Sequence, residues 1–239
     1  MTETPPATGP VRTVLAATGL TVLAIVVSTL VGVVFLVPSL ALGLDVETTL
    51  GLLLLTAAGQ IGFLAFAVLY ARQRGLPVPV RVPTAREAGL ALGGTLVALV
   101  LATGLSVLLA ALDLVPGSVI EESGTIDPNF FLGVAVLSVL IVAPAEEYLF
   151  RGVVQGRLRE TFGPVGAVVG SSLLFGSVHL ANYTGSVEQV VAGALLIAGT
   201  GAVLGALYEW TDNLTVPIVT HALYNVVLAG TAYVTATAA

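Results

Sequence analysis

Cysteine and lysine are both absent from this chain of 239 residues. Without cysteine there is no disulfide, no thiolate ligand for a metal and no cysteine nucleophile. Without lysine, all eight basic residues are arginines, so their positions alone carry the positive charge of the chain.

Charge of either sign is scarce, at 9% of residues, whereas 56% are hydrophobic and the mean hydropathy is +1.04. This composition is typical of a membrane protein. Apolar runs of roughly 20 residues predict about seven membrane spans, with six to eight compatible with the pattern. The predicted spans are about 13–37, 49–70, 88–112, 131–150, 164–182, 187–208 and 214–235. The predicted fold class is therefore all-α, a polytopic transmembrane helical bundle, because no segment shows the alternation of a membrane barrel.

The arginines are confined to alternate connections between these spans, and the remaining connections carry acids only. The arginines are Arg12, Arg72, Arg74, Arg81, Arg86, Arg151, Arg157 and Arg159. Since cytoplasmic loops are enriched in basic residues, we expect an integral, multi-pass cell-membrane protein with the N-terminus in the cytoplasm and the C-terminus outside. The first apolar run is too long for a signal peptide, so we interpret it as a span.

Residues 1–12 are polar at their start and rich in proline, which predicts a disordered N-terminal tail. Residues 13–239 then form one helical membrane domain. No internal repeat interrupts it, and no soluble segment is long enough for a second domain.

A few costly polar residues recur in the last four spans. Glu147 and Arg151 are four residues apart and can pair on one helix face, whereas Glu146 points about 100° away and is available for chemistry. The two histidines of the chain, His179 and His221, also lie in apolar runs. Charged and polar side chains at such positions usually mark a functional site.

Two amides complete the set of polar side chains in apolar runs. Asn225 follows His221 by one helical turn and faces the same way. Gln60 is isolated on the second span, and we interpret it as a packing or helix contact.

Three motifs follow one another in the order of a known family. "EEYLFR" fits Glu-Glu-x-x-x-Arg, "FGSVH" (Phe175 to His179) fits Phe-x-x-x-His, and "HALYN" (His221 to Asn225) fits His-x-x-x-Asn. The chain thus resembles the CPBP family of intramembrane proteases, which includes the type II CAAX prenyl endopeptidases and the bacteriocin-processing, or Abi, proteins. The resemblance covers about residues 130–230, which would be the catalytic core.

The resemblance implies a role for each matching residue. Glu146, helped by His179, would activate water, while His221 and Asn225 would stabilise the oxyanion. The structural support would come from Glu147, Arg151 and Phe175. Family members are commonly described as metalloproteases, so one divalent metal, zinc, could be held by Glu146, His179 and His221, although the same residues suffice without a metal.

These observations predict a membrane endopeptidase acting on a membrane-bound, lipidated or leader-bearing protein or peptide, with its site reached from the cytoplasmic side. The lipid bilayer is the other expected partner, and no nucleic acid is expected. The serine motif Gly-x-Ser-x-Gly and the zinc motif His-Glu-x-x-His are both missing, which argues against those protease classes. Two alternatives stay open: a non-proteolytic binding or immunity protein on the same fold, and a small ion or proton transporter.

Overall fold

The computed structural model describes residues 9–238, and long apolar helices dominate this range. Six helical segments are long and apolar enough to cross a membrane, which confirms the all-α polytopic bundle for the described residues. In chain order the elements are α1 (Pro10–Ala41), α2 (Thr49–Arg74), α3 (Ala85–Ala111), β1 (Gly117–Ser118), α4 (Val119–Ile126), α5 (Asn129–Leu137), the π-helical segment π1 (Ser138–Val142), α6 (Ala143–Glu147), a second π-helical segment π2 (Tyr148–Gln155), α7 (Gly156–Val178), a 3-10 turn (Leu180–Asn182), β2 (Tyr183–Thr184), α8 (Val187–Thr211) and α9 (Thr215–Ala238).

The fourth apolar segment, Asn129–Asn182, is 54 residues long and folds back on itself. Gly163 has φ 67° and ψ −177°, a conformation that glycine adopts without a Cβ clash. Ser171 then donates a hydrogen bond to Gln155 across the bend, at 3.2 Å. The fourth and fifth predicted spans are therefore the two arms of one helical hairpin.

The helix of the fourth predicted span extends beyond the predicted end of that span near residue 150. The helix continues through π2 and the first turns of α7 to the bend at Gly163. Hydropathy ended the span early because Arg151 follows at once, yet Arg151 is fully buried in the bundle. It is an interior residue and carries no information about the loops.

The other seven arginines lie together at one end of the bundle. Arg12, Arg74 and Arg157 line one cavity there, and Arg159 pairs with Glu209 near the end of α8 at 2.7 Å. Arg81 donates to the carbonyl oxygen of Thr211 at 2.8 Å. We call this the arginine-rich end, defined by Arg12, Arg72, Arg74, Arg81, Arg86, Arg157 and Arg159. Its placement in the cytoplasm stays a prediction.

The opposite end is closed by the connection between α3 and α5. β1 pairs with β2 in antiparallel register, and α4 follows directly. Asp127 accepts hydrogen bonds from the hydroxyl of Thr49 and the backbone N–H of Asn129, which tie α2 to the start of α5. These hydrogen bonds hold the pKa of the Asp127 carboxyl below its ordinary value, the Thr49 bond contributing most.

α7 and α8 approach each other closely through small residues. A Cβ at Gly176 would stand 2.3 Å from the carbonyl oxygen of Ala194, and a Cβ at Gly201 would stand 2.9 Å from the ring of Phe175. Small residues at helix contacts allow such approach in membrane bundles. This contact brings the backbone of α8 to the buried Arg151.

The predicted disordered tail falls mostly on residues 1–8, which lie outside the described residues. α1 begins at Pro10.

Candidate active site

The two adjacent glutamates lie where the helix departs from α geometry. Glu146 and Glu147 end α6, which is preceded by π1 and followed by π2. Pro144 has no N–H to donate to the preceding turn, so a regular α pattern is interrupted there. The irregularity takes the form of these two π-helical segments, a feature that recurs at functional sites.

Glu147 holds two basic side chains in the interior. Its Oε1 accepts a hydrogen bond from Nδ1 of His221 at 2.9 Å, and its Oε2 lies 3.2 Å from Nε of Arg151. Both members of the Glu147–Arg151 pair are fully buried. The predicted pair is therefore present, and Glu147 also orients an imidazole ring, a contact that helical spacing did not indicate.

Arg151 is fixed by two further contacts. Its guanidinium donates to the carbonyl oxygen of Gly201 at 2.7 Å and stands over the Phe175 ring, 4.8 Å from its centroid. Phe175 also lies beside both histidines, with ring centroids 4.9 Å from His179 and 5.8 Å from His221. The phenylalanine of the second motif is thus the common neighbour of the site's cationic and imidazole groups.

Glu146 faces a different set of partners. Its Oε1 accepts a hydrogen bond from Nε2 of Gln60 at 3.2 Å. Its Oε2 is buried, accepts no hydrogen bond from any residue between 9 and 238, and lies 3.9 Å from Nε2 of His221. One carboxylate oxygen is therefore fixed, and the other is free to accept a proton.

His179 ends α7 and is half-buried. Its Nδ1 lies 2.8 Å from the carbonyl oxygen of Phe175. A carbonyl only accepts, so Nδ1 is the donor and Nε2 is left as the acceptor in the neutral ring.

Asn225 lies one turn beyond His221 on α9. Its Nδ2 donates to the hydroxyl of Ser138 in π1 at 3.4 Å, a long hydrogen bond. This contact uses one of the two amide protons of Asn225.

Helix packing brings His221 of α9 close to Glu146 of α6. Counting residues from the turns places His221 nearer the arginine-rich end than Glu146, yet Nε2 of His221 lies 3.9 Å from Oε2 of Glu146. In π2 and the first turn of α7, which follow Glu146, Arg151 is buried and Arg157 is partly exposed.

The residues considered for a metal do not form a ligand triad. Between residues 9 and 238, no three His, Asp or Glu side chains converge in a way that could hold a metal ion. Of the set Glu146, His179 and His221, the structure brings Glu146 and His221 together, while Nδ1 of His179 is directed to a backbone carbonyl.

Sequence reasoning missed the contributions of Gln60, Ser138 and Gly201. Gln60 was interpreted as a packing or helix contact, and its contact is with Glu146 itself. The sequence does indicate such a contact, because an amide in the middle of an apolar run is costly to bury without a polar partner. Ser138 and Gly201 carry no such signal, because small residues are ordinary in membrane helices.

The fold and this site define a helical membrane protein with a buried glutamate–histidine–arginine cluster. Residues 128–227 match the family model described as type II CAAX prenyl endopeptidase Rce1-like, and the resemblance to this family is thereby confirmed over that range. All three motifs lie within it. The description of that family names prenyl endopeptidases.

A curated relative matches less than half of the chain. The uncharacterized protein YpbD of Bacillus subtilis (strain 168) is 31% identical over 94 residues, which are 39% of this chain and 43% of YpbD. The match thus spans less than half the length of that relative. No solved structure gives a significant match.

Proposed function

We propose that the protein is an intramembrane endopeptidase that hydrolyses a peptide bond of a membrane-bound, lipidated or leader-bearing substrate with a water activated by Glu146. The observation that carries this proposal is the state of the Glu146 carboxylate, with Oε1 held by Gln60 and Oε2 unpaired and facing His221. The family match over residues 128–227 supports the protease class.

In the first step, the oxygen of the water attacks the carbonyl carbon of the substrate while Glu146 Oε2 takes the proton. A positioned carboxylate of this kind is a general base. The half-buried His179 assists by accepting a hydrogen bond from the same water through Nε2. In the second step the C–N bond breaks, and the departing amine takes the proton from Glu146.

The negative charge that develops on the carbonyl oxygen needs donors. Asn225 has one amide proton beyond the one given to Ser138. Nδ1 of His221 is held by Glu147, and the ring can donate to the oxyanion from Nε2 when that nitrogen is also protonated. In that state the charges of Glu146, Glu147, Arg151 and His221 cancel. Preorganised donors of this type stabilise an oxyanion strongly in a site without water.

The test is cleavage of membrane-anchored and prenylated peptides by purified protein in detergent. We expect wild type to cleave at least one substrate class, and Glu146→Gln and His179→Ala to lose cleavage while keeping their unfolding temperature. A chelator arm with zinc add-back reports on metal dependence. If well-folded wild type cleaves nothing but binds peptide as tightly as Glu146→Gln does, the protein is a binding protein and the proposal is wrong.

A further inference from the structure

Gln60 brings a side chain to the site from outside the segment that matches the family. It lies on α2, far from residues 128–227 in sequence, and donates to Oε1 of Glu146 at 3.2 Å. A carboxylate only accepts hydrogen bonds, so this contact fixes which way the amide is turned. Nε2 must face Glu146, and Oε1 must point away from that carboxylate.

Two oxygens at this contact accept no hydrogen bond from the described residues. They are Gln60 Oε1 and Glu146 Oε2, and both are buried. Buried polar atoms are nearly always paired, and each exception needs an explanation. One of these oxygens belongs to the candidate base Glu146, and the other belongs to the residue that contacts it. Both are explained if bound peptide and water supply the hydrogen-bond donors.

We propose that Gln60 positions Glu146 through Nε2 and binds a backbone N–H of the peptide substrate through Oε1. This inference rests on the proposed function and adds a substrate contact to it. Glu146 Oε2 accepts from the water that attacks, and Gln60 Oε1 accepts from an amide beside the cleaved bond. α2 thereby takes part in recognising the peptide backbone.

Two replacements separate the two parts of this role. Gln60→Met keeps the length of the side chain and removes both the donor and the acceptor. Gln60→Glu keeps an acceptor oxygen but loses the donor. We expect kcat to fall roughly 10- to 100-fold in both variants, the size typical of a lost hydrogen bond to a charged group. KM should rise only in Gln60→Met.

The control is Thr56→Val, one turn earlier on α2. Thr56 is exposed and its hydroxyl bonds only the carbonyl oxygen of Leu52 in its own helix, at 2.8 Å. It should cleave like wild type. Substrates that carry a methyl group on one backbone nitrogen near the cleaved bond add a second readout. Methylation of the nitrogen that donates to Gln60 should weaken cleavage by wild type. The same methylation should have no further effect in Gln60→Met, which already lacks the acceptor.

The outcomes separate this inference from the function on which it rests. If wild type cleaves and Glu146→Gln does not, but Gln60→Met behaves like Thr56→Val, the role of Gln60 is overturned and the protease remains. If KM rises equally in both Gln60 variants, the acceptor contact is wrong. If wild type cleaves no substrate, both the proposed function and the role of Gln60 are wrong.

An independent observation concerns the arginine-rich end. α1, α2 and the first turns of α7 border a partly open cavity of about 460 Å³, whose lining includes Arg12, Arg74 and Arg157. Its lining has one acid, Glu160, which pairs with Arg157 at 2.8 Å. Neither Arg12 nor Arg74 forms an ion pair with a residue between 9 and 238. The described lining therefore has an excess of positive charge.

Arginine favours phosphate among anions, because its planar fork matches two phosphate oxygens. Basic pockets between membrane helices bind lipid head groups. The neighbouring surface of α1 is apolar and exposed, with Leu15 67% accessible, which suits an acyl chain. We propose that this cavity binds the phosphate of an anionic phospholipid.

The test compares unfolding temperatures in neutral detergent with added phosphatidylglycerol, phosphatidylcholine or glycerol phosphate, since a ligand of the folded state stabilises it. Arg72→Gln is the control, because Arg72 lies on the same helix end and does not line the cavity. We expect phosphatidylglycerol to stabilise wild type and Arg72→Gln, and to do so far less in Arg12→Gln and Arg74→Gln. If glycerol phosphate raises the unfolding temperature as much as phosphatidylglycerol does, the ligand is a soluble phosphate and the proposal of a lipid ligand is wrong. No effect, or the same effect in all variants, would overturn the site.

Discussion

Glu147 contacts two basic side chains, and this distinguishes its structural role from the role of the adjacent Glu146. Its contacts to Arg151 and His221 make it part of the structure, whereas Glu146 keeps one oxygen unpaired. Removing one member of a buried ion pair leaves the other charged and unpaired, which typically costs about 3–5 kcal/mol. Exposed ion pairs contribute about 0–1 kcal/mol.

Arg151→Met should therefore lower the free energy of unfolding by about 3–5 kcal/mol, because it removes one of the two basic partners of the buried Glu147 carboxylate. Equilibrium unfolding in mixed detergent micelles measures this loss. Arg159→Met breaks the more exposed pair with Glu209 and should cost less than about 1 kcal/mol. Equal losses in the two variants would contradict the account.

Asn225→Ala should lower kcat about 10²- to 10³-fold, the usual effect of removing one oxyanion donor. KM should change little, because the donor acts mainly in the transition state. Ser138→Ala removes only a long contact to Asn225 and should reduce kcat much less. Steady-state cleavage kinetics of both variants test this prediction. A larger loss of kcat in Ser138→Ala than in Asn225→Ala would show that Ser138 has a role of its own.

At the scale of elements, the contact between α7 and α8 determines where Arg151 lies. The backbones of α7 and α8 approach each other so closely that there is no room for a methyl group at Gly176. The carbonyl oxygen that accepts from Arg151 belongs to Gly201 on α8, so a shift of this helix would disturb the site.

Gly176→Ala should reduce both thermal stability and cleavage, because its Cβ would meet a backbone oxygen that cannot rotate away. Gly104→Ala on α3 is the matched control, since no atom lies within 4 Å of the added Cβ. Alanine also favours helix over glycine, so this control should be neutral or slightly stabilising. Wild-type behaviour of Gly176→Ala in both measurements would refute the close contact.

The link between α2 and α5 depends on pH. The pKa of Asp127 is held low by the Thr49 hydroxyl and the N–H of Asn129. A carboxyl with a lowered folded pKa contributes stability above its unfolded pKa and loses it as the pH falls through the folded pKa. Thr49→Val should therefore lower the unfolding temperature at neutral pH, and its difference from wild type should vanish in strong acid. A pH-independent difference would exclude this linkage.

The helices and the acidic motif could be predicted from the sequence, whereas the contacts between helices could not. Apolar length indicates a span whatever its neighbours, and a spacing of four residues predicts the Glu147–Arg151 pair. Hydropathy treated Arg151 as a loop residue because it scores side chains without their partners. The meeting of Glu146 with Gln60, 86 positions apart, depends on how α2 packs, and no local pattern encodes it.

At the scale of the whole molecule, the site lies near the middle of the bundle. Arg151 meets α8 at Gly201, close to the centre of that helix. His179 ends α7 on the side away from the arginine-rich end, about 24 Å along the helix from Gly163 at 1.5 Å per residue. If the arginine-rich end is cytoplasmic, His179 lies on the outer side of the site, and access from the cytoplasmic side stays a prediction.

Single cysteines introduced into this cysteine-free chain can decide the orientation. Arg72→Cys lies at the arginine-rich end and Glu188→Cys at the start of α8 on the opposite side. In intact cells, a thiol reagent that does not cross membranes should label only Glu188→Cys. Both should be labelled after the cells are opened. Labelling of Arg72→Cys alone in intact cells would reverse the predicted topology.

The two π-helical segments make the site sensitive to chain length in a way that side-chain chemistry does not reveal. Each π turn accommodates one residue more than an α turn, so the extra residue is taken up locally and the helix on either side keeps its orientation. A deletion between Glu147 and Arg151 would shorten their spacing from four residues to three and displace the guanidinium from the carbonyl oxygen of Gly201. Every functional side chain would still be present. Among related sequences, the number of residues between the glutamates and the arginine should therefore vary less than the residues themselves.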